Sequence, residues 1–187
     1  MYQFIKWLIT IFKRQMTKWY LCSKNVHFDG IPTFSGAWPN IRNNGTFSIG
    51  EHCTFSSFRL RQHITVTEHA ELVIGDYSFL NDGVNICSTQ SVRIGHHTKL
   101  GDMTYVFDTD FHEISPEKPI KQLPVSIGDN VWIGANSMIM PGSVIGDHSV
   151  IAAGSIVTGE IPPRSLAAGT PARVIKALNI PDGWIRD

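Results

Sequence analysis

Apolar residues return along the middle of this chain at every sixth position. Written in sixes, the sequence reads IGDYSF, LNDGVN, ICSTQS, then after Val92 and Arg93, IGHHTK, LGDMTY, VFDTDF; after a longer interruption it resumes as IGDNVW, IGANSM, IMPGSV, IGDHSV, IAAGSI, VTGEIP. The first positions are Ile74, Leu80, Ile86, Ile94, Leu100, Val106, Ile127, Ile133, Ile139, Ile145, Ile151 and Val157, all aliphatic. Glycine often follows, and the fifth position is usually small or β-branched, as at Ser78, Val84, Thr98, Thr104, Val131, Ser137, Ser143, Ser149 and Ser155. A helix repeats at 3.6 and a strand at 2, so neither gives this pattern; a short strand, a turn and another short strand does. The interruptions separate blocks of three sixes, 74–91, 94–111, 127–144 and 145–162. Such blocks predict triangular coils of 18 residues in which the aliphatic first positions superimpose as ladders, each coil burying its apolar face only against the coils above and below. The pattern loosens at Ile49 to Leu60, where IGEHCT and FSSFRL form one irregular earlier coil, and the chain before it is expected to cap the open end. The expected organisation is an all-β solenoid over 45–164, preceded by an N-terminal amphipathic helix and cap over 1–44 and followed by a short tail or helix over 165–187.

The N-terminal stretch MYQFIKWLITIFKRQMTKWYL has a different period. Phe4, Ile5, Leu8, Ile11 and Phe12 recur at helical spacing, which predicts an amphipathic helix. Lys6 and the pair Lys13 and Arg14 leave an uncharged run of only WLITIF, far short of the ~20 residues that cross a bilayer. The stretch also lacks the small-residue cleavage site of a signal peptide. Two readings remain open: an apolar face docked on the protein's own body or a neighbouring subunit, or a helix lying on an anionic membrane surface, favoured by Lys6, Lys13, Arg14 and Lys18.

At 187 residues, with no Pro/Gly/Ser-rich linker or charge block, the chain is read as one domain with terminal attachments. Sixteen lysines and arginines balance sixteen aspartates and glutamates, which removes the broad positive field that nucleic-acid binding requires. Cys22, Cys53 and Cys87 are odd in number and widely spaced, as expected of free thiols in a reducing, cytoplasmic compartment rather than of a disulfide framework.

The repeat breaks after Phe111. The fifteen residues HEISPEKPIKQLPVS, 112–126, contain three prolines that forbid a regular ladder, so this segment is expected to loop out of the prism. It starts with His112, and an imidazole is a side chain able to take the proton of an attacking hydroxyl. The hexad VFDTDF places Asp110 where a small residue is expected, and a carboxylate at a narrow inward position requires a partner. Asp108 or Asp110 is therefore a candidate to orient His112 or contact an acceptor, with a hydrogen bond to the loop backbone as the structural alternative. The other histidines, His27, His52, His63, His69, His96, His97 and His148, are read as exposed or satisfied polar residues. Asn81 replaces the usual glycine of its hexad and lies at a different edge of the prism from His112, roughly 15 Å away if a face is about six residues long. One small acceptor cannot touch both within a single subunit, so shared action predicts a closed cyclic oligomer with the site between prisms.

The pattern [Ile/Leu/Val]-Gly-x-x-[Ser/Thr/Ala/Val]-x resembles that of the hexapeptide-repeat transferases with a left-handed parallel β-helix. The closing stretch VWIGANSMIMPGSVIGDHSVIAAGSIVTGEIPPRSLAAGTPARVIK is similar to the C-terminal part of the galactoside, maltose and polysaccharide O-acetyltransferases, and the likeness covers roughly 45 to 176. The resemblance implies the left hand of the coil, a homotrimer, and transfer from acetyl-CoA, without a metal, to a hydroxyl of a sugar or polysaccharide precursor. It implies His112 as the general base, Asn81 as an acceptor contact, Trp132 as a functional aromatic of the polysaccharide branch, and a pantetheine groove along Gly134, Ala135, Ala153, Gly154 and Thr158. A core or interface role for Trp132 stands beside that reading. Arg173 and Lys176 are candidates for the nucleotide phosphates through charge-assisted bonds, and Gly159 stands where the family often has lysine. Three alternatives stand beside this reading. An amino-sugar N-acetyltransferase uses the same base. A zinc enzyme resembling the γ-type carbonic anhydrases needs a close histidine pair after the loop, where only His148 occurs. A non-catalytic scaffold would have no use for the His112 loop and the PARVIK tail.

Overall fold

The computed structural model describes residues 2–186; Met1 and Asp187, the outermost residues of the two expected terminal segments, lie outside the described residues. Its body is a three-faced parallel β-solenoid of about six turns, the left-handed prism implied by the repeat family. Sheet A has seven strands, sheet B eight and sheet C six, and each coil contributes one strand to each sheet in the order A, B, C. Coil 1 comprises β1 (Val26–Phe28), β2 (Thr33–Gly36) and β3 (Asn40–Asn43); coil 2, β4 (Thr46–Ile49), β5 (Thr54–Ser57) and β6 (His63–Val66). Coil 3 comprises β7 (Glu71–Ile74), β8 (Phe79–Leu80) and β9 (Asn85–Ser88); coil 4, β10 (Ser91–Ile94), β11 (Lys99–Leu100) and β12 (Tyr105–Phe107). Coil 5 comprises β13 (Val125–Ile127), β14 (Trp132–Ile133) and β15 (Met138–Ile139); coil 6, β16 (Val144–Ile145), β17 (Val150–Ile151) and β18 (Ile156–Val157).

The first positions of the sixes form the interior, as expected. On sheet A the ladder runs Ile49, Ile74, Ile94, Ile127, Ile145, Ile161; on sheet B, Leu80, Leu100, Ile133, Ile151; on sheet C, Ile64, Ile86, Val106, Ile139, Val157. All are buried, and full burial of such a side chain contributes about 1.5–3 kcal/mol. The hydroxyls at the fifth positions answer backbone carbonyls that the corners would otherwise leave bare: Ser78 Oγ donates to the Gly95 carbonyl at 2.9 Å, Thr98 Oγ1 to Gly128 at 2.8 Å, and Ser149 Oγ to Pro162 at 2.9 Å. The fourth residue of many sixes turns the corner in the left-handed backbone region, including Tyr77, His97, Met103, Asn130, Asn136 and His148 with φ between 53° and 60°.

The solenoid starts earlier than the expected residue 45, because coil 1 is complete from Val26 onward. Its ladder residues are Phe28, Phe34 and Ile41, with Phe55 next in coil 2, so aromatic rings fill the first-position column where the pattern elsewhere is aliphatic. After coil 6, β19 (Glu160–Ile161) adds the seventh strand of sheet A, and the C-terminal segment is neither helix nor loose tail at its start: β20 (Ser165–Gly169) and β21 (Ala172–Ala177) form an antiparallel hairpin on the end of sheet B. Helix α1 (Tyr2–Ser23) meets the prism through its C-terminal part, where Thr17 and Leu21 are buried and Tyr20 packs against Phe34 and Trp38. Residues 3–15 are exposed throughout and are not docked on the chain's own body.

Candidate active site

The corner between sheets C and A is short in every coil but one. After β12 the chain leaves the prism as an arm and returns at Val125, slightly before the expected end of the loop. The foot of the arm is a narrow hairpin: Thr109 bridges Gln122, the Asp110 N–H donates to the Lys121 carbonyl at 3.0 Å, and the Leu123 N–H donates to the Asp108 carbonyl at 3.0 Å. The Gly142 N–H in coil 5 donates to the Leu123 carbonyl at 3.2 Å and clamps the arm from the other side.

Asp108 anchors this foot and does not face an acceptor. It is wholly buried, and its carboxylate accepts the N–H groups of Thr89, Gln90 and Ser91 at 2.7–3.0 Å, the Thr89 hydroxyl at 2.8 Å and the Ser88 hydroxyl at 3.4 Å. The expectation of a substrate contact at Asp108 is therefore corrected: its lone pairs are committed to the corner of the preceding coil. The inward carboxylate of VFDTDF is thus Asp108, and Asp110 is only half-buried. Among the described residues, no side chain hydrogen-bonds the His112 imidazole or the Asp110 carboxylate, so neither aspartate orients the histidine within one chain.

His112 stands exposed on the arm beside Phe111, whose φ of 62° is a strained value for an aromatic residue. Phe111 packs edge-on against Phe107 at 5.3 Å, and Phe107 in turn against Tyr105 at 5.6 Å. This fixes the root of the histidine on the outer surface of sheet C.

Asn81 lies at the corner between sheets B and C in coil 3, half-buried. Its carbonyl accepts Gln62 Nε2 at 3.1 Å, and the same amide nitrogen donates to the carbonyls of Ser56 and Leu80 at 2.9 and 2.8 Å, while Gln62 Oε1 accepts the Ser57 hydroxyl at 2.9 Å. The fully buried Gln62 thereby pins the corner that carries Asn81, whose own amide has no partner among the described residues. Next to it, burial pushes the Asp82 carboxyl up, but the N–H groups of Arg59 and Leu60 and the Arg59 guanidinium outweigh that and hold it below the usual carboxylate range. Arg59 also reaches Asp102. The segment 58–62 that supplies these contacts breaks the six-residue pattern, and that break was the available sign of a special corner.

The expected pantetheine residues fall on two edges. Gly134 and Ala135 in coil 5 and Ala153 and Gly154 in coil 6 lie on the B/C edge above Asn81, whereas Thr158 lies on the C/A edge, in a cleft of about 410 Å³ with Gly159, Ala172 and Arg173. The groove expected along these residues is thus divided, within one chain, between two edges of the prism. Both are bare: a Cβ built on Gly154 or Gly159 meets nothing within 4 Å. Gly134 is packed internally, since its Cβ would lie 2.5 Å from the Ala153 nitrogen. Arg173 and Lys176 are exposed on β21. Trp132 is outside both edges, on the outer surface of sheet B between Lys99 and Val150, with the Arg186 guanidinium 6.0 Å from its ring.

Sheet C separates the two edges, and its outward column was not singled out from the sequence. Asn85, Tyr105, Met138 and Ile156 stack in register there, each the last residue of its six. An apolar residue at this otherwise outward position in three successive coils was the signal to look for.

Residues 124–159 match the family model described as bacterial transferase hexapeptide (six repeats). The putative lipopolysaccharide biosynthesis O-acetyl transferase WbbJ of Escherichia coli K12 is 33% identical over 74% of this chain and 76% of its own. The galactoside O-acetyltransferase of the same organism is 40% identical over 57% of this chain, and the match spans about half (54%) of that enzyme's length. The structure of galactoside acetyltransferase in complex with coenzyme A superimposes with a TM-score of 0.56 at 30% identity, covering 82% of this chain and 66% of that one. The chain belongs to the hexapeptide-repeat acetyltransferase family.

Proposed function

We propose that this protein transfers the acetyl group of acetyl-CoA to a hydroxyl of a saccharide, with His112 as the general base, at sites formed between the subunits of a homotrimer. The observation that carries the reading is the partition of the candidate residues: Asn81, Gly134, Ala135, Ala153 and Gly154 on the B/C edge, His112, Thr158 and Arg173 on the C/A edge. Edges roughly 15 Å apart cannot serve one small acceptor in one chain. When the B/C edge of one prism meets the C/A edge of the next, each set completes the other, and sheet C with Tyr105, Phe107, Met138 and Ile156 turns inward as the apolar contact surface.

In this arrangement His112 takes the proton of the acceptor hydroxyl, and the Asn81 amide holds the acceptor in place. Bound acetyl-CoA supplies the acetyl thioester. The two bare half-grooves accommodate its narrow arm, and the cations Arg173 and Lys176 at the end of the solenoid suit its phosphates. Asp110, half-buried at the root of the arm, remains a candidate acceptor contact, and Trp132 one for a longer saccharide chain. A hydroxyl acceptor is supported by the names of the relatives, an O-acetyltransferase of galactosides and a putative one of lipopolysaccharide biosynthesis.

The test is thiol release from acetyl-CoA across a panel of sugars and amino sugars. A hydroxyl acceptor should drive turnover that His112→Ala lowers by roughly a hundredfold or more, the usual weight of a general base. Turnover with amino sugars alone would replace the reading by N-acetylation, and an unimpaired variant would remove His112 from the chemistry.

A further inference from the structure

Helix α1 presents an apolar surface that no other described residue covers. Taking about 100° per residue, Phe4, Leu8, Phe12 and Trp19 fall within an arc of roughly 80°. Their exposures are 61%, 45%, 65% and 66%, so the stripe is open from the first turn to the anchored end. Ile5, Ile9, Ile11 and Trp7 widen the same surface on both sides. Thr17 and Leu21, through which the helix is fixed to coil 1, project to the opposite side of the wheel. The prism therefore holds the helix by its polar side and turns the apolar side outward.

The charges say what the stripe meets. Lys6 and Lys13 border one margin of the apolar arc, Arg14 and Lys18 the other, and no aspartate or glutamate occurs before Asp29. A second copy of the helix would bring these cations together without any acidic partner. A surface that offers negative charge at the margins and hydrocarbon between them fits both features. No helix among the described residues is long and apolar enough to cross a membrane, so the fit is to a helix lying along a surface.

We infer that α1 is a peripheral membrane anchor that lays Phe4, Leu8, Phe12 and Trp19 into an anionic lipid surface, with the prism standing away from it on coil 1. This inference is independent of acetyl transfer and stands or falls apart from it.

Flotation of the full chain with phosphatidylcholine vesicles, with and without about a third phosphatidylglycerol, tests it. The wild type should float with the anionic vesicles, be released by salt, and stay down with the neutral ones. Each basic residue near such a surface contributes roughly fivefold, so Lys13→Glu with Arg14→Glu should weaken partitioning by ~25-fold or more. Leu8→Glu with Phe12→Glu should lower it by about a hundredfold. The melting temperature should be unchanged in both, because neither pair touches the prism. Failure of the wild type to float, or equal flotation of the Leu8/Phe12 variant, overturns the inference. A Leu8/Phe12 variant whose only change is a smaller particle mass by light scattering would assign the stripe to a second copy instead.

Discussion

Two edges of the same prism follow different rules. The A/B edge repeats the same construction from coil 2 to coil 6: a glycine packed on the next coil, an acidic residue or histidine at the third position, and a left-handed residue at the fourth. Asp76 Oδ1 accepts the Glu51 N–H at 2.7 Å, Asp129 Oδ1 that of His96 at 2.7 Å, and Asp147 Oδ1 that of Asp129 at 2.8 Å, so each carboxylate joins one coil to its neighbour. His52, Tyr77 and His97 stack outside it with ring centroids 4.7 and 4.8 Å apart. The C/A edge has no such continuity, because the arm at 108–124 interrupts it between coils 4 and 5. The side chains of the unbroken edge are spent on one another; the His112 imidazole, on the broken edge, has no hydrogen-bond partner among the described residues. A histidine is structural on one edge and available for chemistry on the other.

The sharpest way to break that comparison is to exchange a histidine from each edge for alanine. His112→Ala is expected to lower turnover by about a hundredfold or more while leaving the urea midpoint within the ±0.5 kcal/mol typical of surface changes. His97→Ala should do the reverse, keeping turnover and losing about 0.5–1.5 kcal/mol of stacking on Tyr77. Equal effects of the two on turnover would erase the distinction.

Backbone packing gives the next largest effect. A Cβ on Gly95 would lie 2.4 Å from Asp129 Oδ1 and 2.6 Å from the Gly128 carbonyl group, so Gly95→Ala should destabilise by about 1–3 kcal/mol without altering the rate per folded molecule. Asp108→Asn probes the foot of the arm: losing the charge that three N–H groups share should cost about 1.5–3 kcal/mol, read from denaturant unfolding. An acceptor-binding role would instead appear as a raised KM with unchanged stability.

The smallest effect concerns the thiols. Burial pushes Cys53 and Cys87 up to about 11, while Cys22 is exposed on α1. A thiol reagent at neutral pH should modify Cys22 in the folded protein and leave the other two intact. In the unfolded chain a thiol ionises near pH ~8.5, so stability should decline as pH rises from about 8.5 towards 11, where the folded state still holds protons that the unfolded state has released.

Coils 3 to 6 were legible in the sequence because their first positions are aliphatic without exception and most of their fifth positions carry the small groups a corner admits. Coil 1 was not, since Phe28 and Phe34 occupy its ladder positions and aromatic spacing gives no six-residue signal. His112 was legible as the first residue of a proline-rich break. The role of Asp108 was not: a carboxylate that caps three N–H groups and one that faces an acceptor are the same letter in the same hexad, and only burial separates them. The helix at the N-terminus could be read from its period, but the direction of its apolar side depends on which residues, Thr17 and Leu21, the prism holds.

The central claim is that Asn81 and His112 act on one acceptor from two different chains. Co-expression of Asn81→Ala and His112→Ala chains, each expected to be inactive by itself, tests it directly. The account predicts recovery of about a quarter of the wild-type rate, the statistical share of interfaces that pair an intact His112 with an intact Asn81. A mixed trimer that stays as inactive as either parent would contradict it.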